Sequence, residues 1–369
     1  FRSRSAASAC SSPCACANVT DASGAVALSM TRASTATCSK QGAATTGINN
    51  GDLVTCAVDK PRIEAGTYLR ESSRTNVILQ SGNIADAAWS TENLGVAAPT
   101  VTAAFAVAPD GTTTATRLQL QATAAGQDNI RYQSLATGPG YSASIYVKGN
   151  GTSGTIDLCA GTVAASCSAC NYVSATWTRC TAFGSGGTSW LVGNATQYNG
   201  GTSRAAADVL VWGAQSESGN WPSSYIPTTT VGVTRSADSA LAGTVTAVGT
   251  SFSMAATVTY LSGATASAAT VFQLGTAAPN LASVGTASDT TLALTINATT
   301  TNPVVSAIGA TTNRVSLSDT AGTRAAFWNA GSVSAPAASM AATATAVSIG
   351  ALNARTSLGC LDPSGTRCR

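Results

Sequence analysis

Hydrolysis of a glycosidic bond needs two carboxyl groups facing each other across a sugar, about 5 to 10 Å apart. The sequence offers four glutamates for that role: Glu64, Glu71, Glu92 and Glu217. Glu64 and Glu71 stand among Arg62, Arg70 and Arg74, so ion pairing with those arginines is their expected use. Histidine is absent, which removes every Ser-His and Cys-His nucleophile and every His-ligated zinc or iron site. Lysine is confined to Lys40, Lys60 and Lys148, with no Walker-type glycine-lysine loop, so Schiff-base and nucleotide chemistry have few candidates. The expectation is a protein that is not an enzyme.

Sugar binding asks for less. A flat ring covers the apolar side of a pyranose at little entropic cost, and amide or carboxylate groups fix the hydroxyls. The rings available are Trp89, Tyr132, Tyr146, Trp177, Trp190, Tyr198, Trp212 and Trp221. Tyr146 and Trp212 lie in apolar or alternating runs and are expected to pack in a core. Trp190 and Tyr198 fall in the glycine- and threonine-rich stretch 186–200, read as a loop, with Asn194, Gln197 and Asn199 beside them. These five residues are the expected glycan site. The sequons at Asn18, Asn150, Asn194 and Asn297 follow from the abundance of Asn, Ser and Thr.

The eleven cysteines cluster as Cys10, Cys14, Cys16, Cys38 and Cys56, then Cys159, Cys167, Cys170 and Cys180, then Cys360 and Cys368. Cys167 and Cys170 form a C-x-x-C without a second knuckle, so disulfides fit better than zinc. Cys38, Cys56, Cys159, Cys167, Cys170, Cys180, Cys360 and Cys368 are the bridge candidates. Local pairing is expected, with Cys360 and Cys368 closing the turn-rich loop between them. The odd cysteine is expected among Cys10, Cys14 and Cys16.

Positioning these groups is work for strands. Short runs of alternating or β-branched residues, at 142–148, 155–159, 208–212, 253–260, 291–296 and 314–318, are separated by Gly, Asn, Asp and Pro clusters. Helix is scarce, with a single turn expected over Ile84–Trp89. The chain of 369 residues is 9% charged, against about 25% for an average soluble domain, and carries a net charge of +3. No basic stripe for nucleic acid and no apolar run of membrane-spanning length occurs. The expected fold class is all-β: tandem β-sandwich or jelly-roll modules with a Cys-rich N-terminal segment. Composition divides the chain into residues 1–69, Cys-rich; 70–238, a jelly roll; and 239–369, a β-sandwich. The stretch 228–237 reads as a linker into the last of these.

Several motifs stand in a fixed order: Met30-Thr-Arg-Ala-Ser-Thr-Ala-Thr37, Lys60-Pro-Arg-Ile-Glu64, Leu69-Arg-Glu-Ser-Ser-Arg-Thr-Asn76, Ala88-Trp89, Ala108-Pro-Asp-Gly-Thr-Thr-Thr-Ala115, Tyr146-Val-Lys148, Trp212-Gly-Ala-Gln215 and Tyr225-Ile-Pro-Thr228. Together, over about residues 28 to 238, they resemble the carbohydrate-binding-module-like jelly roll of phage tail, tail-fibre and head-fibre proteins. The last 130 residues or so resemble, by strand spacing, a concanavalin A-like or laminin-G-like sandwich. The resemblance implies a structural or adhesive protein on the outside of a cell or virion, built from copies of itself into a fibre, appendage or layer, with cell-surface glycans as further partners. A soluble secreted lectin with its site at Trp190 is the alternative. Modules of this shape commonly hold a structural calcium, for which Asp110 and Asp208 are the expected ligands, with Asp128 and Asp157 also available; no other cofactor is expected. Residues 1–27 are read as a strand that could be donated to a neighbour.

Overall fold

A computed structural model describes residues 19–21, 24–26, 29–40, 52–60, 62–64, 67–135, 141–184, 188–219, 221–239, 241–248, 252–260, 269–275, 281–288, 291–303, 312–320, 322–329, 331–337, 344–351 and 356–358. The chain is nearly all β: among the described residues the only helix is a single 3-10 turn at Ala164–Ser166. Cys10, Cys14, Cys16, Cys360 and Cys368, and the donated-strand idea for residues 1–27 in large part, lie outside the described residues.

Ten strands make the first sandwich. They are β1 (Ser90–Leu94), β2 (Thr100–Ala106), β3 (Ala115–Leu120), β4 (Asp128–Ser134) and β5 (Tyr141–Gly149), then β6 (Gly154–Cys159), β7 (Cys167–Tyr172), β8 (Thr178–Gly184), β9 (Ser189–Asn194) and β10 (Ala207–Ser218). One sheet runs β8-β5-β10-β3-β2 and the other β7-β6-β9-β4-β1, and every pairing is antiparallel. Period-two alternation decides what each strand buries. In β5, Ala143, Ile145 and Val147 enter the core between the sheets, where they meet Ile156 and Leu158 of β6, Val192 of β9 and Val209 and Val211 of β10. Ser144, Tyr146 and Lys148 consequently point to the outer face.

Two glycines are required by the backbone. At Gly193 of β9, φ is +137° and a Cβ would lie 2.5 Å from the Asn129 carbonyl oxygen. At Gly213, φ is +70°, and the β5–β10 register shifts opposite it, between Ser144 and Tyr146. Trp212 points outward by the alternation of Val209 and Val211, and the irregularity after it returns Ala214 to the core.

The expected turn of helix at Ile84–Trp89 is a succession of hydrogen-bonded turns. The side chains of Asn83 and Asp86 accept from the N–H groups of Ala85 (3.2 Å) and Ala88 (2.9 Å), a local bonding pattern that competes with helix. It delivers Ile84 and Trp89 to the core.

Disulfides join Cys38 to Cys56, Cys159 to Cys167 and Cys170 to Cys180. The first closes the hairpin of Ala36–Ser39 and Leu53–Cys56, and the second links facing residues of the β6–β7 hairpin. The third passes from β7 to β8, strands of opposite sheets, and so ties the sandwich together at one edge.

Strand pairing runs across the expected boundary at residue 69. Arg62–Glu64 and Thr67–Arg70 form the end of a seven-stranded sheet with Thr356–Leu358, Phe252–Tyr260, Thr312–Thr320, Thr323–Trp328 and Gly331–Val333. A six-stranded sheet of residues 241–351 accompanies it, and Leu292, Leu294, Ile296, Leu317 and Trp328 are among the buried apolar residues of the two sheets. The first sandwich is thus inserted between Arg70 and Leu241.

A buried charge cluster closes the insertion. The Arg62 guanidinium donates to Glu71 (2.7 Å) and to Asp238, Arg32 donates to Asp238 (2.9 Å), and Arg235 lies 3.4 Å from Glu71. All five side chains are at most 2% exposed. Burial works against the charge on Arg62, and Glu71 and Asp238 outweigh it, raising its pKa. The Asp238 N–H also donates to the Glu71 carbonyl at 2.9 Å. The stretch 228–237 is therefore not a linker: Val233–Arg235 pairs with Arg74–Asn76, and Arg235 needs its buried carboxylates.

Candidate functional site

Part of the stretch expected to be a glycan-binding loop, Ser189–Asn194, is strand β9, and this corrects the expectation for Trp190 and Asn194. Trp190 and Val192 alternate into the core, where Trp190 is 0% exposed. Its ring stands edge-on to Trp89, centroids 5.2 Å apart, and its Nε1–H donates to the Gln215 carbonyl at 3.1 Å. No sugar reaches it. Asn194, also fully buried, donates to the carbonyls of Gln121 and Ala205.

The loop that follows folds onto the outer face of the β7-β6-β9-β4-β1 sheet, over Ile130, Leu191 and the Cys159–Cys167 bridge. Two buried carboxylates anchor it. Asp157 accepts from the Ala195 N–H (3.1 Å), Asn199 Nδ2 (2.8 Å) and both Nε and Nη2 of Arg204 (3.1 and 2.6 Å). Asp128 accepts from the Gln197 N–H through Oδ1 (3.0 Å), while its Oδ2 is buried without a partner. Burial pushes the Asp128 carboxyl up to about 6, with Glu92 and Asp157 adding to the shift. The Tyr198 hydroxyl donates to Glu92 at 2.9 Å. Of the expected polar contacts, only the Gln197 side chain is exposed.

The expected calcium ligands are committed elsewhere. Asp110 accepts from the N–H and hydroxyl of Thr112 within a turn (3.0 and 2.6 Å). Asp208 receives Arg117 through Nε and Nη2 (2.8 and 2.5 Å) and Asn150 at 3.2 Å. The Arg117 bond, foremost, holds the Asp208 carboxyl below its usual range. Among the described residues no three His, Cys, Asp or Glu side chains group around a metal position.

Rings accessible to a ligand lie instead on the outer face of the β8-β5-β10-β3-β2 sheet. The register sets Arg179 and Trp212 on either side of Tyr146, and Ala115 opposite Ala106. Trp212 and Tyr225 are buried, 4% exposed each, with centroids 4.6 Å apart, and Tyr146 packs against Trp212 at 5.9 Å. Tyr146 and Trp177 are only half-buried, as are Phe183 and Trp221, whose centroids lie 4.5 Å apart. The Arg179 guanidinium sits 5.5 Å from the Tyr146 ring centre and donates to Ser144 Oγ at 2.9 Å. Nε of Arg179 and Nε1 of Trp221 are themselves buried and have no partner. The next row carries Lys148, Leu210 and Arg117, the last 4.9 Å from the Phe105 ring centre. Such a face can stack flat molecules and donate hydrogen bonds at their edges.

Reading the register of β5 would have exposed this face: Tyr146 shares the parity of Ser144 and Lys148, the polar side of the strand. Trp177 carried a signal too, being the one large apolar residue in a polar turn.

No family model matches the sequence, and no curated protein does. Among solved structures, domains LG4-5 of the mouse laminin α1 chain align over 84% of this chain and 93% of that chain, with 11% identity and a TM-score of 0.25.

Proposed function

We propose that this chain is a non-enzymatic extracellular protein of structural and adhesive kind, resembling phage tail fibres, that binds saccharides on the outer face of the β8-β5-β10-β3-β2 sheet. The observation that carries the reading is the set of half-buried rings on one sheet face, Tyr146 beside Arg179, Trp177 on the Trp212–Tyr225 cluster and Trp221 against Phe183. The three disulfides among the described residues fit an oxidising, extracellular setting. Hydrolysis is disfavoured by the burial of Glu71 and Glu217, 2% and 0% exposed, under bonds from Ser224 and Ser223. Polysaccharide affinity gels test the reading: retardation by at least one soluble glycan, reduced by Trp177→Ala and unchanged by Trp190→Phe, is the expected result. Migration unaltered by every glycan would refute it.

Self-assembly is supported by a separate feature. The edge strands β1 and β2 leave Leu94 and Phe105 at 48% and 42% exposure, with Val107 just beyond β2 at 58%, and an unprotected edge pairs readily with another chain. Negative-stain microscopy of the native protein should show filaments or regular oligomers that Phe105→Lys disperses. Uniform small particles would leave the soluble-lectin alternative.

A further inference from the structure

We infer that the ligand of the aromatic face is an acidic polysaccharide, one bearing carboxylate or sulfate groups; this rests on the saccharide-binding reading above and names its ligand class. The face carries three cations, Arg117, Lys148 and Arg179, on adjoining rows of the sheet. Lys148 stands two residues beyond Tyr146, about 7 Å along the strand, and Arg117 two strands away from it, about 10 Å across. All three therefore border the surface that a few linked sugars stacked on Tyr146 and Trp177 would cover.

Asp208 offsets Arg117, which donates to it through Nε and Nη2, and also accepts from Asn150, so the charge open to a ligand is that of Lys148 and Arg179. Glu217 is 0% exposed beneath Ser223, whose N–H and hydroxyl donate to it at 2.6 and 2.5 Å. Lys148 has no hydrogen-bonding or ionic partner among the described residues, and Arg179 spends Nη2 on the neutral Ser144 hydroxyl. The guanidinium lies beside an aromatic ring, so it keeps a planar donor edge for an oxyanion while the ring takes the apolar face of the sugar. A neutral saccharide would use the rings and leave the cations hydrated; an acidic one uses both.

The test compares the full-length chain on polygalacturonate, dextran sulfate and unmodified dextran by affinity electrophoresis, with circular dichroism confirming that variants stay folded. The expected result is binding to one or both acidic polymers about tenfold or more tighter than to dextran, weakened by added salt. Lys148→Ala combined with Arg179→Gln should remove that preference, and Arg314→Ala, an exposed cation of the other sandwich, should not. Polygalacturonate against dextran sulfate tells carboxylate from sulfate recognition. Equal affinity for dextran, untouched by the double variant, would overturn the acidic ligand and leave saccharide binding standing. Equal losses from Arg314→Ala would overturn the assignment to this face. Binding to none of the three polymers, nor to any other glycan, would overturn both readings.

Discussion

Asp128 is the residue whose environment serves it least. One oxygen meets the Gln197 N–H, the other is buried without a donor, and Glu92 and Asp157 lie close enough to oppose its charge. A folded-state value near 6 against 3.8 when exposed means that the native state holds more protons between those pH values. Stability from this group is therefore fully present only below pH 3.8 and is lost progressively as pH rises from there through 6. Glu217, raised by burial despite the bonds from Ser223, acts in the same direction. Urea unfolding should show greater stability at pH 5 than at pH 7.5, and Asp128→Asn should stabilise the protein at the higher pH and flatten the profile. A wild-type midpoint that rises with pH over this range would contradict the assignment. At this scale ion pairing of Glu71 with one of Arg62, Arg70 and Arg74 was legible, and which arginine it takes, Arg62, was not. The inward turn of Trp190 was not, since flanking glycines and threonines disguised a central strand as a loop.

Strands were the most legible elements, and expected runs such as 291–296 and 314–318 fall within observed strands. Alternation is a local property that a sheet with one wet face imposes on every strand. Which strands become neighbours is not local, and nothing in 62–70 announces a partner at 356–358. Disulfide partners were equally open until geometry paired them. Among the described residues the Cys170–Cys180 bridge is the one that spans two sheets, closing a loop of about ten residues. Replacing both cysteines by alanine should cost about 3 kcal/mol on a chain-entropy basis, read as a lower denaturation midpoint under non-reducing conditions. An unchanged midpoint would mean that the core alone holds β7 to β8.

For the molecule as a whole, the buried cluster of Arg32, Arg62, Glu71, Arg235 and Asp238 gathers the motifs at 30–37, 60–64 and 69–76 with the chain that leaves the first sandwich. Removing one charge strands another, at a typical cost of 3–5 kcal/mol. Glu71→Gln should therefore lower stability by that order. It should also open the Arg235–Ser236 bond to trypsin, a bond that the folded wild-type chain should resist. Rapid wild-type cleavage there would show the cluster to be loose. The joint between compositional regions was misread as a tether because threonine, valine and glycine carry no record of the arginine and aspartate partners waiting elsewhere. The insertion of one sandwich into the other also sets an order of events during synthesis. Strand Thr67–Arg70 leaves the ribosome early, while its partner Thr356–Leu358 emerges almost three hundred residues later. The inserted sandwich, complete by residue 238, can fold first and hold the early strand at its base. The outer sheet must then close last around a finished neighbour, through a contact of very long sequence separation and correspondingly slow formation.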